Sequence, residues 1–372
     1  MKIRSWKKVL FVVTVTSMLL SACSFSINLG DTTPTAQPPT IEVTPVTGQE
    51  TKPTESTSTT GTSTYTLSTT QFVIPSQAFS LYPPEGWENQ SKDREIKVEY
   101  ISPDGSVVIT TQFTNTGYTL DQTAFENYIN GNQGNLYANK PNYAEESREL
   151  HLDQGYGIVY VTFDYNNIAQ KTERQYDQSG NVIYETEIWT DANQWDQNVD
   201  FFNLYLKGIS FTASDVRNYE PYMFVQTYTD PKDLFSFKYL YPWMYQVNSS
   251  DGESNSESYM APDGFATIYA EYFNDHKTNW SQSDADTWVK GMVESAYAKN
   301  SSDLQIDSDQ INDNGYKQLN WHTLQNKFEG ITVFKAEGTE IMLLTSYWQQ
   351  DYSNIYKSAM EYVISTFASP AQ

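Results

Sequence analysis

Hydrophobic and polar positions run along this chain in two similar series. In the first, Ser106 to Phe113 and Gly157 to Tyr165 are rich in β-branched and aromatic residues and predict strands. Asp104-Gly105 in the first series and Asp263-Gly264 in the second stand where a hairpin would turn, because both residue types tolerate positive φ. Phe125, Tyr128 and Ile129 share one helical face, as do Trp288, Met292 and Ala296, with Ser283 as the expected N-cap. Gly131-Asn132-Gln133-Gly134 lacks any nucleotide-loop context and reads as a helix stop. Second hairpins are expected at Ser179-Gly180 and Glu337-Gly338. Val199, Phe202, Leu206 and Ile209 predict a closing helix, and Ile355, Ala359 and Val363 predict its counterpart. Strands, a helix, more strands and a last helix describe an α+β protein in which an antiparallel sheet is flanked by helices.

The two series are copies of one another. Phe79-Ser80-Leu81-Tyr82-Pro83 returns as Phe235-Ser236-Phe237 followed by Tyr241-Pro242, with Trp87 and Trp243 just beyond each proline. Tyr100 to Gly105 returns as Tyr259 to Gly264, Gly155-Tyr156 as Gly315-Tyr316, and Ile209 to Ser214 as Ile364 to Ser369. An offset that stays near 156 to 160 residues throughout reads as a tandem duplication. The expected domains are 71–214 and 231–372, joined by a linker over 215–230.

This succession of Tyr-Pro, Trp, Pro-Asp-Gly turn, β-rich run, helix, Gly-Tyr strand and final Ser-Phe resembles the PsbP-like superfamily over roughly Gln77–Ser214 and Pro231–Ser369. The resemblance implies an antiparallel sheet between helices, and an accessory or partner-binding role rather than catalysis. Copy two departs at its opening, with Tyr241-Pro242-Trp243 where copy one has Pro83-Pro84-Glu85-Gly86-Trp87.

The N-terminus supplies an address. Lys2, Arg4, Lys7 and Lys8 precede an apolar run from Val9 to Leu20 and then Ser21-Ala22-Cys23, the layout of a secretory signal too short to persist as a spanning helix. A cysteine after small residues resembles the bacterial lipobox, which implies a lipoprotein signal over 1–22 and acylation of Cys23. A plain cleaved signal is the alternative. The expected location is the outer face of the bacterial cell membrane, or the outer membrane in a two-membrane host, where Ser24 favours that membrane. From 23 to 70 the chain reads as a disordered tether. Asp31 to Thr64 holds 13 Thr, 5 Pro and 3 Ser, too little apolar surface to offset ordering entropy. Its mean reach is on the order of 35–40 Å.

Charge excludes one class of partner. The chain carries 46 acidic against 23 basic residues, a net charge of −23, and loss of the four basic residues in 1–22 makes this more negative still. Such a surface repels nucleic acid. Cys23 is the sole cysteine, so the folded part relies on aromatic burial rather than disulfides.

Candidate chemistry is sparse. The three histidines, His151, His276 and His322, stand apart, and no Gly-x-Ser-x-Gly elbow or clustered zinc ligand set occurs. Asp307, Asp309 and Asp313 are weak calcium candidates, but Ile311 and Asn312 fall where a calcium-loop template needs an oxygen ligand and glycine. Asp303, Gln305, Asp307 and Asp309 alternate with Leu304, Ile306 and Ser308, which predicts the wet face of an edge strand. Trp189, Trp195, Tyr347 and Trp348 lie near a sheet end or the loop before the closing helix, where aromatics can anchor a ligand or become core. The expected function is a tethered, cofactor-free binding or scaffold lipoprotein for an envelope protein, its two modules raising effective concentration. A carbohydrate- or calcium-binding lipoprotein is the alternative, and a hydrolase with an unrecognised acidic pair ranks below both.

Overall fold

The computed structural model describes residues 65–369 apart from 93, 138–139, 231, 251–253 and 275. The described residues form one compact unit. The signal, Cys23 and the tether through residue 64 lie outside the described residues.

The first half opens with β1 (Phe72–Val73), β2 (Phe79–Leu81), β3 (Glu88–Asn89), β4 (Lys97–Ile101) and β5 (Val107–Asn115), followed by helix α1 (Gln122–Tyr137). It continues through β6 (Ala144–His151), β7 (Tyr156–Tyr165), β8 (Ile168–Ser179) and β9 (Val182–Asp191) to helix α2 (Trp195–Lys207) and β10 (Ser210–Phe211). In the second half, β11 (Val225–Thr229), β12 (Ser236–Leu240), β13 (Met244–Ser250), β14 (Ser254–Met260) and β15 (Ala266–Asn274) precede α3 (Gln282–Tyr297). The chain then runs through β16 (Leu304–Ile311), β17 (Lys317–Thr323), β18 (Phe328–Glu337) and β19 (Glu340–Gln349) to α4 (Ser353–Ser365). The halves build seven-stranded antiparallel sheets of matching order, β3-β4-β5-β9-β8-β7-β6 and β13-β14-β15-β19-β18-β17-β16. The hairpins turn where Gly105, Gly180, Gly264 and Gly338 take positive φ, at the sites read from the sequence.

Strand alternation sends successive side chains to opposite faces, and each face meets a helix. Val159, Val161, Phe163, Tyr176 and Ile183 share a core with Phe125, Tyr128 and Ile129 of α1. Val98, Ile109, Val182, Tyr184 and Ile188 share another with Phe201, Phe202 and Tyr205 of α2. In the second half, α3 packs on Leu319, Trp321, Phe334 and Leu343, and α4 on Ile268, Ile331, Val333 and Leu344. The fully buried face of α3 is Ala285, Val289, Val293 and Tyr297, with Trp288, Met292 and Ala296 only at its flank. Its N-cap is Ser281, whose hydroxyl accepts from Asp284 N, not Ser283.

Three further expectations change. Residues 65–70 belong to the folded body, since the Tyr65 ring stands edge-on to Trp87 at 5.0 Å and Leu67 bridges Pro84. The segment 215–230 is structured: Val216 enters the first-half core, Tyr222 the second, and β11 pairs along β12. Asp303 is buried rather than wet, its carboxylate accepting from Lys299 N and Gln325 N, and a bulge between Ile306 and Ser308 breaks the alternation along β16.

Helix α1 also runs straight through Gly131–Gly134. The reason is tertiary. A Cβ on Gly131 would collide with the Pro242 carbonyl oxygen, so glycine lets the second half lie against the helix. On either side of that contact Asn127 Nδ2 donates to Pro262 O and Asn135 Nδ2 to Trp243 O, both at 2.9 Å. The Tyr118 and Tyr356 hydroxyls, one from each half, both donate to Asp263 Oδ2. Deeper in, buried Arg174 donates to Glu185 at 2.6 Å and to the Tyr241 hydroxyl at 2.7 Å, with Glu187 at 3.4 Å. Tyr128 and Tyr137 of α1 donate to Glu185 and Glu187 in turn. Burial opposes the Arg174 charge, but Tyr241, Tyr176, Glu187 and Glu185 together raise its pKa well above the usual arginine value.

Candidate ligand groove on the second sheet

Helix α4 covers the middle of its sheet and leaves the strands toward the β16 edge open. A hollow of about 180 Å³ lies there, lined by Asp307, Asn320, His322, Glu329, Trp348, Lys357 and Glu361 among others. It shares Asn320, Ile331 and Glu361 with a second hollow of about 430 Å³ that extends to Asn312, Asp313, Asn314, Gln318, Ile364 and Ser365. Together they form one groove between β17 and α4.

The walls are set by internal bonds. His322 Nδ1 stands 2.9 Å from both Asp307 oxygens. Trp348 Nε1 donates to Glu329 Oε2 at 3.1 Å and Ser353 Oγ at 2.9 Å, while Ser353 Oγ donates to Glu329 at 2.7 Å. Gln318 Nε2 donates to Asn320 Oδ1 at 3.0 Å. Lys357 and Glu361 are exposed on successive turns of α4, and among the described residues neither forms an ion pair.

Register explains why the hollow is in this half. The ladder pair Asn320–Ile331 matches Tyr160–Glu173 of the first half, counted from corresponding strand pairs. Ser353 opens α4 where Trp195 opens α2. Tyr160 and Trp195 pack edge to face at 6.4 Å, with Lys171 Nζ 5.5 Å from the Trp195 ring centre. Two large rings thus fill in one half what an amide and a hydroxyl leave open in the other.

The four candidate aromatics lie apart. Trp348 lines the groove but is only 2 % exposed, and Trp195 is buried in the other half. Trp189 and Tyr347 lie on the opposite sheet faces. Trp189 packs between Phe163 and Tyr165, and Tyr347 between Tyr297 and Phe328. Counted from the hairpins, Trp189 pairs with Thr172 as Tyr347 does with Gly330, so Tyr347 rather than Trp348 is its counterpart. The aspartates separate as well: Asp307 binds His322, Asp309 is held between Lys290 at 2.7 Å and Lys317, and Asp313 lies in the larger hollow. Lys290 and Lys317 hold the Asp309 carboxyl below the usual carboxylate range against the opposing effect of burial. Among the described residues no three His, Cys, Asp or Glu side chains are grouped to hold a metal ion. The groove itself was not legible in advance, because its signal is the loss of two rings relative to the other half.

No protein-family model matches the chain, and no curated protein matches it. Among solved structures, the chain is similar to the cyanobacterial PsbP of Synechocystis sp. PCC 6803, at 16 % identity and a TM-score of 0.30, over 39 % of this chain and 92 % of that one. It is similar to LpqN of Mycobacterium tuberculosis, described as involved in cell envelope biogenesis, at 11 % identity and a TM-score of 0.26, over 36 % and 83 %. The type VI secretion immunity protein TplEi of Pseudomonas aeruginosa matches at 10 % identity and a TM-score of 0.21, over 76 % and 97 %. All three scores fall well below 0.5, so the fold rests on the strand order of the chain itself.

Proposed function

We propose that this chain is an exported lipoprotein, anchored through Cys23, whose two PsbP-like halves form one non-catalytic binding body for an envelope partner. The groove between β17 and α4 is its ligand site. The observation that supports this most is the open groove, lined by exposed charges and amides where the first half is closed by rings. The basic and apolar N-terminus ending in Leu20-Ser21-Ala22-Cys23 supports the anchor. Acylation beyond a single chain would make the attachment stable.

The junction refines the part played by duplication. Two freely linked modules gain through effective concentration, whereas halves joined at Gly131, Asp263 and Arg174 present their surfaces in one fixed arrangement. The test is metabolic labelling with radioactive palmitate, combined with cross-linking on intact producing cells, for the native chain and Cys23→Ala. Label on the native chain alone, with one abundant cross-linked envelope protein lost in the variant, is the expected result. Equal labelling of both chains would remove the anchor, and a native chain without any cross-linked protein would remove the partner.

A further inference from the structure

We infer that the groove takes a short extended peptide segment of the partner, with a basic side chain seated at its Asp313–Glu361 end; this rests on the groove being the ligand site. Its dimensions suit such a segment. Gln318 to His322 on β17 and Lys357 to Ser365 on α4 each span roughly 12–13 Å, about four residues of extended chain. The chemistry suits it too. Asn312, Asn314, Gln318 and Asn320 carry side-chain amides, which both donate and accept as a peptide backbone does. Ile331 and Ile364, 6 % and 4 % exposed, make an apolar floor beneath them.

Charge selects the end residue. Glu361 is exposed and free of ion pairs among the described residues, Asp313 lies across the same hollow, and the chain as a whole is strongly acidic. Lys357, one turn before Glu361, supplies a single positive site for an acidic group farther along the segment. Sugars are less well served. They are held by stacking on an open ring face, and the Trp348 indole in the lining is 2 % exposed.

The probe is a phage-displayed random heptapeptide pool, selected on the full-length protein, with enriched peptides then measured by fluorescence anisotropy. Four proteins are compared: the native chain, Asn320→Tyr, which restores the ring found in the first half, Glu361→Lys on the exposed face of α4, and Asp153→Lys as a charge-matched control elsewhere. The expected result is enrichment of peptides containing Lys or Arg, binding at least tenfold weaker to Asn320→Tyr and Glu361→Lys and within twofold of native to Asp153→Lys. Enriched peptides without a basic residue, or equal binding by Glu361→Lys, would overturn the inference. Thermal unfolding with a panel of neutral oligosaccharides runs beside it. A shift abolished by Asn320→Tyr, with no peptide enriched, would overturn the peptide and keep the groove as a ligand site. Neither peptide nor sugar would remove both.

Discussion

Counted back from their hairpins, β8–β9 and β18–β19 place Arg174 opposite Glu187 in one half and Thr332 opposite Thr345 in the other, with Tyr176–Glu185 matched by Phe334–Leu343. The same ladder positions therefore carry a buried ion cluster in the first sheet. In the second they carry two threonines bonded at 3.0 Å, an indole donating to Thr332, and hydrocarbon. What differs is the neighbour. The first-half position receives Tyr241 from the second half, while its counterpart lies under α3 alone. A buried charge is tolerated where counter-charges and acceptors surround it, and it ties together the elements that supply those partners. Here those elements come from both halves. A cluster of this kind favours one docking geometry more than it adds stability, and each half could dispense with it only if it stood alone.

The largest effect is expected at Arg174. Arg174→Met leaves buried Glu185 and half-buried Glu187 without their cation and should cost about 3–5 kcal/mol. Thr332→Val, at the matching position, removes one hydroxyl and should cost about 1 kcal/mol. Urea unfolding of the two variants measures both, and equal losses would erase the distinction drawn between the halves.

The helices give the next contrast. Gly131 is buried against Pro242, whereas Gly291, at the matching place in α3, has no atom within 4 Å of a built Cβ. Gly131→Ala should force the junction apart at a cost of about 2–3 kcal/mol, with the single unfolding transition splitting into two. Gly291→Ala should add up to about 1 kcal/mol through helix propensity. Calorimetry reads both, and a stabilising Gly131→Ala would mean that the halves do not meet as described.

The smallest contrast concerns pH at one ladder position. Burial raises the Asp177 carboxyl from 3.8 to about 6. Between those values the folded state holds more protons than the unfolded chain, so stability falls as pH rises through this window and stays lower above it. Asp177→Asn should remove that penalty and raise stability at pH 8 by about 2 kcal/mol, while matching the native chain near pH 4. Its counterpart across the hairpin count is Lys335, which is paired to Glu337 at 3.0 Å, so that position of the second half carries no buried carboxyl of this kind. A pH-independent difference between Asp177→Asn and the native chain would show that the carboxyl is not held neutral by burial.

Much of the fold could be read from residue order. The Asp-Gly turns, both sets of strands, the closing helices and the matching of two halves follow from short-range rules: alternation, helical spacing and positive-φ residues. The candidate site could not. Trp348 stands one residue from the counterpart of Trp189, because the offset between the halves falls from 160 at Tyr160–Asn320 to 158 at Glu173–Ile331, and a slip of one residue turns a side chain to the other face. Gly131–Gly134 looked like a helix end because glycine is a poor helix former, and nothing nearby in sequence announces Pro242.

By itself, the sequence determined the local conformations, because turns, strands and amphipathic helices are decided among residues a few positions apart. Only the tertiary structure decided which of two equivalent faces is filled and which is open, that residues 65–70 and 215–230 belong to the folded body, and that Arg174 meets a tyrosine from the other half. Those outcomes depend on which side chains converge from distant parts of the chain, and the free energy of a cavity, a buried charge or a close backbone contact exists only once they have converged.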